Sequence, residues 1–86
     1  MAKTRRTASA EIVRNPEIHG GEPTVAGTRV SVRTIAVAWH FEPDIERLCE
    51  AYPTLTPAAI RAALAFYEAN RAEIDRYIAE NDVEFD

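Results

Sequence analysis

The sequence contains few of the residues that build disulfide frameworks and metal sites. Its 86 residues include one cysteine, Cys49, and two histidines, His19 and His40. A single thiol excludes an internal disulfide framework, and one thiol with two imidazoles is a poor ligand set for zinc. We therefore expect no metal, no cofactor and a reducing, cytoplasmic environment.

Long apolar runs are also missing. No stretch approaches the roughly 20 apolar residues that a membrane-spanning helix needs, and residues 1–10 carry basic side chains without the apolar core of a secretory signal. With 47% hydrophobic and 28% charged residues, the chain has the composition of a globular protein. Its length suits one small domain with a marginal core, so we expect a homodimer or a partner chain.

The pattern lacks a catalytic constellation as well. No nucleophile stands at a local spacing that would pair it with His19 or His40, and Cys49 falls on the apolar face of a predicted helix. The Gly20-Gly21 pair has neither the further glycines nor the Gly-Lys-Ser/Thr motif of a phosphate-binding loop. We therefore expect that the protein is not an enzyme.

Charge is distributed unevenly along the chain. The net charge is −4, but residues 1–40 hold six basic and three acidic residues, whereas residues 41–86 hold four basic and eleven acidic ones. A basic front end and an acidic back end indicate two different partner surfaces. Ordinary solvated charge would give the same pattern, so the asymmetry supports an assignment only together with other signals.

The first third of the chain is rich in turn-forming residues. Residues 1–10 are predicted to form a disordered basic arm. Short β-prone runs follow, and Gly27 stands between two of them, where a turn needs positive φ. The sequence therefore predicts a tight β-hairpin in which residues 24–25 return as residues 29–30. Residues 11–70 are assigned to this hairpin and a helical core, and residues 71–86 to a C-terminal helix with an acidic tail.

Helical periodicity begins at Ser31. Ser31, Asp44 and the pair Thr56-Pro57 are favourable helix starts, and each precedes apolar residues at helical spacing. Four helices are predicted, over residues 32–40, 45–52, 57–69 and 71–80. The three residues 53–55 separate the second helix from the third, which is typical of a helix-turn-helix. The predicted fold is mainly α: a winged-helix-like or homeobox-like helix-turn-helix core of about four helices with a short N-terminal β-hairpin.

The N-terminus of the third helix is the predicted DNA-reading element. Threonine hydroxyls and free N–H groups at a helix start can hold a phosphate, and alanines let the helix lie close to the bases. Arg61 is its only basic residue, so packing of an alanine-rich helix against another chain is the alternative. The basic arm and the first helix add further phosphate contacts. The candidate DNA-binding residues are Lys3, Arg5, Arg6, Arg33, Thr54, Thr56 and Arg61.

Arg29 lies at the exit of the predicted hairpin, and the sequence leaves two roles open for it. Its guanidinium can reach a phosphate, as can that of Arg33 one helical turn into the first helix. It can instead form a structural salt bridge, for instance with Glu11 or Glu22. We favour the salt bridge over the phosphate contact.

An ordered series of short motifs resembles a known family. The motifs are Asn15-Pro16, Gly20-Gly21-x-Pro23, Gly27-Thr28-Arg29-Val30-x-Val32 and Tyr52-Pro53-x-Leu55-Thr56. Over residues 12 to 67 the chain is similar to the small bacterial and archaeal family known as domain of unknown function number four-three-three, which is related to the VapB-type antitoxins. The resemblance implies partnership with a PIN-like ribonuclease toxin and binding to promoter DNA that represses the pair's own operon.

The sequence departs from this family at the end of the first helix. The family usually has a glycine between the first and second helices, and here Glu42 stands at about that position, before Pro43. A left-handed C-cap is unfavourable for a glutamate that precedes a proline. We therefore expect a different geometry at the end of this helix, without an effect on the residues assigned to DNA.

The C-terminal part is the predicted toxin-binding element. Residues 68–86 contain seven acids and two arginines, so acidic side chains can cover the positive RNA-binding rim of a ribonuclease. Insertion of an arginine among the toxin's metal-binding carboxylates is the second route. The candidate partner-binding residues are Arg71, Ile74, Arg76, Tyr77 and Phe85. The predicted function is thus an antitoxin that binds DNA and a PIN-like toxin, and the alternative is a dimeric protein-interaction adaptor without DNA binding.

Overall fold

Four helices follow a short two-stranded antiparallel sheet, so the predicted mainly α fold is confirmed. The computed structural model describes residues 11–84, and their side chains as far as Asn81. The predicted arm with Lys3, Arg5 and Arg6, and the candidate Phe85, lie outside the described residues. The elements are β1 (Ile12–Arg14), β2 (Pro23–Val25), α1 (Val32–Phe41), α2 (Ile45–Ala51), α3 (Pro57–Ala69) and α4 (Arg71–Glu84), with a 3-10 turn at His19–Gly21.

The predicted helix starts are the observed ones. The Ser31 hydroxyl accepts a hydrogen bond from the backbone N–H of Thr34 at 3.0 Å, and the Thr56 hydroxyl accepts one from Ala59 at 3.0 Å. The Asp44 carboxylate caps α2 in the same way. Each cap satisfies N–H groups that have no partner inside the helix and is worth about 1 kcal/mol. Local sequence therefore determines where α1, α2 and α3 begin.

The geometry at the end of α1 explains why Glu42 can stand where the family usually has a glycine. Glu42, the residue after α1, is extended, with φ −148° and ψ 91°, and its N–H donates to the carbonyl of Ala38 at 2.9 Å. Extended backbone is what Pro43 requires of the residue before it. The helix thus ends without a left-handed residue, and glutamate is compatible with this position.

The strand pairing differs from the predicted one. The sheet pairs β1 with β2, in the register Ile12↔Val25, Val13↔Thr24 and Arg14↔Pro23. The predicted return of residues 24–25 as 29–30 is limited to one isolated bridge, Thr24↔Ser31, and a hydrogen bond from Val25 N–H to the Val30 carbonyl. Gly27 reverses the chain with φ 78°. Ser31 is already the cap of α1, so no residues remain to extend the predicted strand at residues 29–30.

The hydrophobic core joins all four helices. Its largest side chains with no exposed surface are Ile35 of α1, Ile60 of α3 and Ile74 of α4, and Val25 and Leu48 extend it to the sheet and to α2. Ile74 was predicted to bind a partner. Its side chain is 0% exposed, so it cannot contact a partner at the surface of this fold. Helix α4, which continues to Glu84, is part of the domain's core. In the described residues, no helix is long and apolar enough to cross a membrane.

A salt bridge and its neighbouring hydrogen bond connect strand β1 to helix α4. The Arg14 guanidinium donates to both carboxylate oxygens of Glu73, at 2.6 and 3.0 Å, and the Tyr77 hydroxyl donates to the same carboxylate at 2.9 Å. The Arg14 guanidinium also lies 5.5 Å from the ring centroid of Phe66. The hydrogen bond from Arg14 lowers the pKa of Glu73 below its ordinary value of 4.5, although partial burial opposes this shift. The charged form of the cluster is therefore the stable one.

Replacing Ile74 by alanine tests the place of α4 in the core. Because Ile74 is fully buried, Ile74→Ala should lower the free energy of unfolding by about 2–5 kcal/mol, through lost burial and the cavity left behind. Urea unfolding followed by circular dichroism measures this. Arg76→Ala, on the exposed side of the same helix, should stay within about 0.5 kcal/mol of wild type. Equal stability of Ile74→Ala and wild type would contradict the assignment.

The Arg14–Glu73 contact should make stability depend on pH in a predictable direction. Because the pKa of Glu73 is lower in the folded chain, the contact stabilises fully above the ordinary pKa of 4.5, and this contribution disappears as the pH falls through the lower folded value. At neutral pH, Glu73→Gln should cost about 1 kcal/mol or less, since both side chains are partly exposed. The urea midpoints of wild type and Glu73→Gln should converge in acid. A difference that stays constant with pH would show that the ionised Arg14–Glu73 contact is not its cause.

Candidate nucleic-acid interface

The turn between α2 and α3 exposes threonines around a buried leucine. The Leu55 side chain is 4% exposed and lies in the core, and its N–H donates to the Tyr52 carbonyl at 2.9 Å. Leu55 thereby fixes the turn, and Thr54 and Thr56 on either side of it are exposed. The Thr54 hydroxyl has no partner among the described residues, whereas the Thr56 hydroxyl is the helix cap. Of the two threonines, Thr54 is the one with an uncommitted hydroxyl.

The inner and outer faces of α3 differ sharply. Its inner face is made of small and branched apolar residues, all buried: Ala59, Ile60, Ala62 and Ala63. The alanines of α3 were expected to let the helix lie close to the bases, but Ala59 and Ala62 pack inside the molecule. The outer face of the first two turns carries Pro57, Ala58 and Arg61, which are exposed. The alanines are thus used for packing within the chain, and only a narrow strip of α3 can meet a ligand.

The arginines of the described residues divide into paired and unpaired ones. Five of them lie within 4.0 Å of a carboxylate: Arg14, Arg33, Arg47, Arg71 and Arg76. Arg29 and Arg61 form no ion pair with any side chain that the structure describes. An arginine beside a carboxylate contributes little net positive potential, so the uncompensated charge of this part of the chain comes from Arg29 and Arg61.

Arg33, rather than Arg29, forms the salt bridge with Glu22. The Arg33 guanidinium lies 3.1 Å from the Glu22 carboxylate, and its side chain is 19% exposed. Arg33 is therefore engaged in a structural salt bridge and is poorly placed to contact DNA. The salt bridge favoured for Arg29 is absent within residues 11–81, because Glu22 pairs with the first turn of α1 instead. Arg29, like Arg61, is exposed and has no carboxylate partner among the side chains that the structure describes.

A groove brings Arg29 to the helix-turn-helix. It runs between the sheet and the turn before α3, and its lining includes Val13, Ile18, Arg29 and Thr54. Residues 26–30, which we call the 26–30 loop, form one wall. The sequence placed Arg29 at the exit of a hairpin but did not predict that it lines one groove with Thr54, since this depends on how the sheet packs against α3. The groove and the outer face of α3 together carry Arg29 and Arg61, the two arginines without a carboxylate partner among the described side chains.

The remaining partner-binding candidates lie on α4 and are engaged locally. The Arg71 guanidinium is 3.5 Å from Glu68, and that of Arg76 is 3.8 Å from Glu80. Each also lies 5.2 Å from the ring centroid of a neighbouring tyrosine, Tyr67 and Tyr77 respectively. Both arginines are exposed, and Tyr77 is half-buried. Acceptance of its hydrogen bond by Glu73 raises the pKa of Tyr77, so its hydroxyl stays protonated at neutral pH.

Sequence reasoning missed an exposed aromatic residue. Phe41, the last residue of α1, is 80% exposed, and with Val37 and Ile78 it lines a shallow cleft between α1 and α4. An aromatic side chain outside the apolar stripe of its helix, next to Glu-Pro, is the signal that could have indicated it. Large exposed apolar side chains often mark protein contacts. Over the residues whose side chains are described, no group of three His, Cys, Asp or Glu residues could hold a metal ion.

Comparison with known proteins gives consistent matches. A family model described as "Protein of unknown function (DUF433)" matches residues 12–67. An uncharacterized protein of Sinorhizobium fredii, y4eO, is 44% identical over 64 residues, which cover 73% of this chain and 29% of that protein. The chain therefore spans less than a third of that relative's length. The crystal structure of a DUF433 member from Anabaena variabilis is similar with a TM-score of 0.75 and 33% identity, over 80% of this chain and 68% of that one.

Proposed function

We propose that this chain, which belongs to the DUF433 family of proteins of unknown function, is the antitoxin of a toxin–antitoxin pair. In this proposal the helix-turn-helix binds the promoter of the pair's own operon, and α4 with the α1–α4 cleft binds a PIN-like ribonuclease. The class of partner in this proposal comes from the resemblance of the sequence motifs to a family related to the VapB-type antitoxins. The single observation that carries the DNA-binding part is Arg61, which is exposed on the outer face of α3 and has no carboxylate partner among the described side chains. It lies about one helical turn after Thr56, the cap of this helix.

Local charge matters more than net charge for this function. The chain as a whole is acidic, with a net charge of −4, which opposes approach to DNA. However, Arg61 on α3 and Arg29 in the 26–30 loop have no compensating carboxylate within the described residues, and the sequence adds Lys3, Arg5 and Arg6 in its basic front end. A few such contacts are enough to give salt-dependent binding, since each neutralised phosphate releases counterions.

The outer face of α3 has a shape suited to the major groove. Pro57 and Ala58 are small, so the first turn can approach the base edges closely, and the alanine methyl group can contact thymine. Arg61 lies one turn further on, at the i+3 spacing from Ala58 that places both on one face. An arginine there can donate two hydrogen bonds to guanine. This arrangement matches helix-turn-helix readers, whose recognition helix uses its N-terminal residues.

Replacing Arg61 by alanine tests the DNA-binding part. In a gel shift with the DNA upstream of the chain's own reading frame, Arg61→Ala should weaken binding by about 1–3 kcal/mol. Arg76→Ala removes the same charge from α4 and should bind as wild type does. Absence of any shift with the wild-type protein at low salt would refute DNA binding. Full binding by Arg61→Ala, together with loss on deletion of residues 3–6, would assign the contact to the arm.

The charges on α4 favour one of the two routes to toxin neutralisation. Arg71 and Arg76 are each held by a carboxylate and stacked near a tyrosine, so moving either into a ribonuclease active site would break local contacts first. The acids of residues 68–86 outnumber these arginines by seven to two. We therefore propose that acidic side chains cover the positive RNA-binding rim, with Phe41 and the α1–α4 cleft as the apolar contact beside them.

Capture of the neighbouring gene product tests the toxin-binding part. Phe41 is 80% exposed, so Phe41→Ser should fold normally, yet it should reduce co-purification of a PIN-like neighbour about tenfold or more, as loss of an aromatic anchor does. Arg61→Ala should capture the neighbour fully, because it lies on the other surface. Shortening the chain to residues 1–70 is a poor test, since it removes the core residue Ile74. Undiminished capture by Phe41→Ser would exclude the cleft.

The alternative function is a dimeric protein-interaction adaptor without DNA binding. The exposed Phe41 favours it, because an apolar contact serves a second copy of the chain as well as a toxin. The gel shift separates the two functions: an adaptor leaves the upstream DNA unshifted at low salt. Size-exclusion chromatography of wild type and Phe41→Ser then shows whether the cleft joins two copies.

A further inference from the structure

We propose that the 26–30 loop is a second DNA contact, in which Arg29 binds a backbone phosphate and His19 holds the loop in place. This inference rests on the proposed DNA binding by α3 and adds a site on a different element. It follows from the lack of a carboxylate partner for Arg29 in the described part of the chain, from the rigidity of its loop and from the groove that it shares with Thr54.

The loop is fixed by its own hydrogen bonds. Gly27 turns the chain with φ 78°, and the Val25 N–H donates to the Val30 carbonyl at 2.9 Å. The Thr28 hydroxyl donates to the Val25 carbonyl at 2.9 Å and accepts from the Val30 N–H at 3.0 Å. These bonds hold the backbone on both sides of Arg29. The guanidinium is thus presented from an ordered support, which lowers the entropy lost when it binds a phosphate.

His19 adds a brace from outside the loop. Its Nε2–H donates to the Arg29 carbonyl at 2.7 Å, across ten residues of sequence. His19 has φ 52°, the left-handed region that costs a residue with a side chain about 1 kcal/mol or more, and Gly20 and Gly21 continue this conformation with φ 64° and 94°. The left-handed turn directs the imidazole toward the loop. His19 is therefore a positioning residue: it contacts the Arg29 backbone and leaves the guanidinium free.

The position of the groove indicates a phosphate as the ligand. Arg29 and Thr54 line the same groove, and Thr54 lies in the turn two residues before Thr56, the cap of α3. A cationic guanidinium and an uncommitted hydroxyl are ordinary partners of a backbone phosphate. A duplex whose bases contact the outer face of α3 brings its phosphates to the edges of that helix, where the groove lies. Arg29 then sets the register of the protein on the duplex rather than reading its sequence.

Salt dependence separates a phosphate contact from a base contact. On a short duplex from the upstream region and on a scrambled duplex, Arg29→Ala should raise Kd about tenfold in both cases and reduce the slope of log K against log salt by about 1. Arg29→Lys should retain most of the affinity, since lysine also binds phosphate. Arg76→Ala is the control of equal charge. If Arg29→Ala binds with unchanged affinity and slope while Arg61→Ala binds more weakly, this inference alone is overturned. If the wild-type protein binds neither duplex, both this inference and the proposed DNA binding by α3 are overturned.

A double-mutant cycle tests the role of His19. Asparagine tolerates the left-handed conformation but cannot reach the Arg29 carbonyl. His19→Asn should therefore raise Kd about threefold, keep its thermal midpoint near that of wild type, and add no loss in the Arg29→Ala background. A merely structural role would weaken binding equally in both backgrounds, and that result would overturn the positioning role, as would wild-type affinity in His19→Asn itself.

Discussion

The burial of the small-residue face of α3 is the constraint on which the rest of the structure depends. This helix packs against α1, α2, α4 and both strands, and its inner face of Ala59, Ile60 and Ala63 has almost no exposed surface. Alanines let neighbouring elements approach closely, and Ile60 fills the space among them. Because α3 is surrounded on most sides, what remains for a ligand is the outer strip of its first turns. Core and candidate interface are thus two sides of one helix.

Local signals in the sequence were sufficient for the helices and insufficient for the contacts between distant elements. The caps at Ser31, Asp44 and Thr56 depend on a few neighbouring residues, so their positions followed from sequence alone. The pairing of β1 with β2 and the salt bridge between Glu22 and Arg33 depend on packing, and no spacing rule encodes them. Ile74 illustrates the same limit. Periodicity placed it on an apolar stripe, but only the contact of α4 with α1 shows that this stripe faces the core.

The candidate site was predicted in part for the same reason. Thr54, Thr56 and Arg61 were expected on the surface of the helix-turn-helix and lie there, because a cap and its following turn fix their exposure. The role of Arg29 depended on which acid would pair with which arginine, a question that only the arrangement of β2 beside α1 answers. Exposure of Phe41 likewise depends on where α4 ends its contact with α1.

The cluster of Arg14, Glu73 and Tyr77 has a consequence for how the chain is made and removed. Arg14 and Glu73 are 59 residues apart, so a ribosome must release nearly the whole chain before the sheet can be joined to α4. Until then the sheet that carries the 26–30 loop lacks its anchor on α4, and the core lacks Ile74. A protease that trims α4 returns the chain to this unfinished state. The last helix thus adds a late contact to the first strand, which is also paired with β2 and packed on α3, so the two ends of the molecule are coupled weakly during both synthesis and turnover.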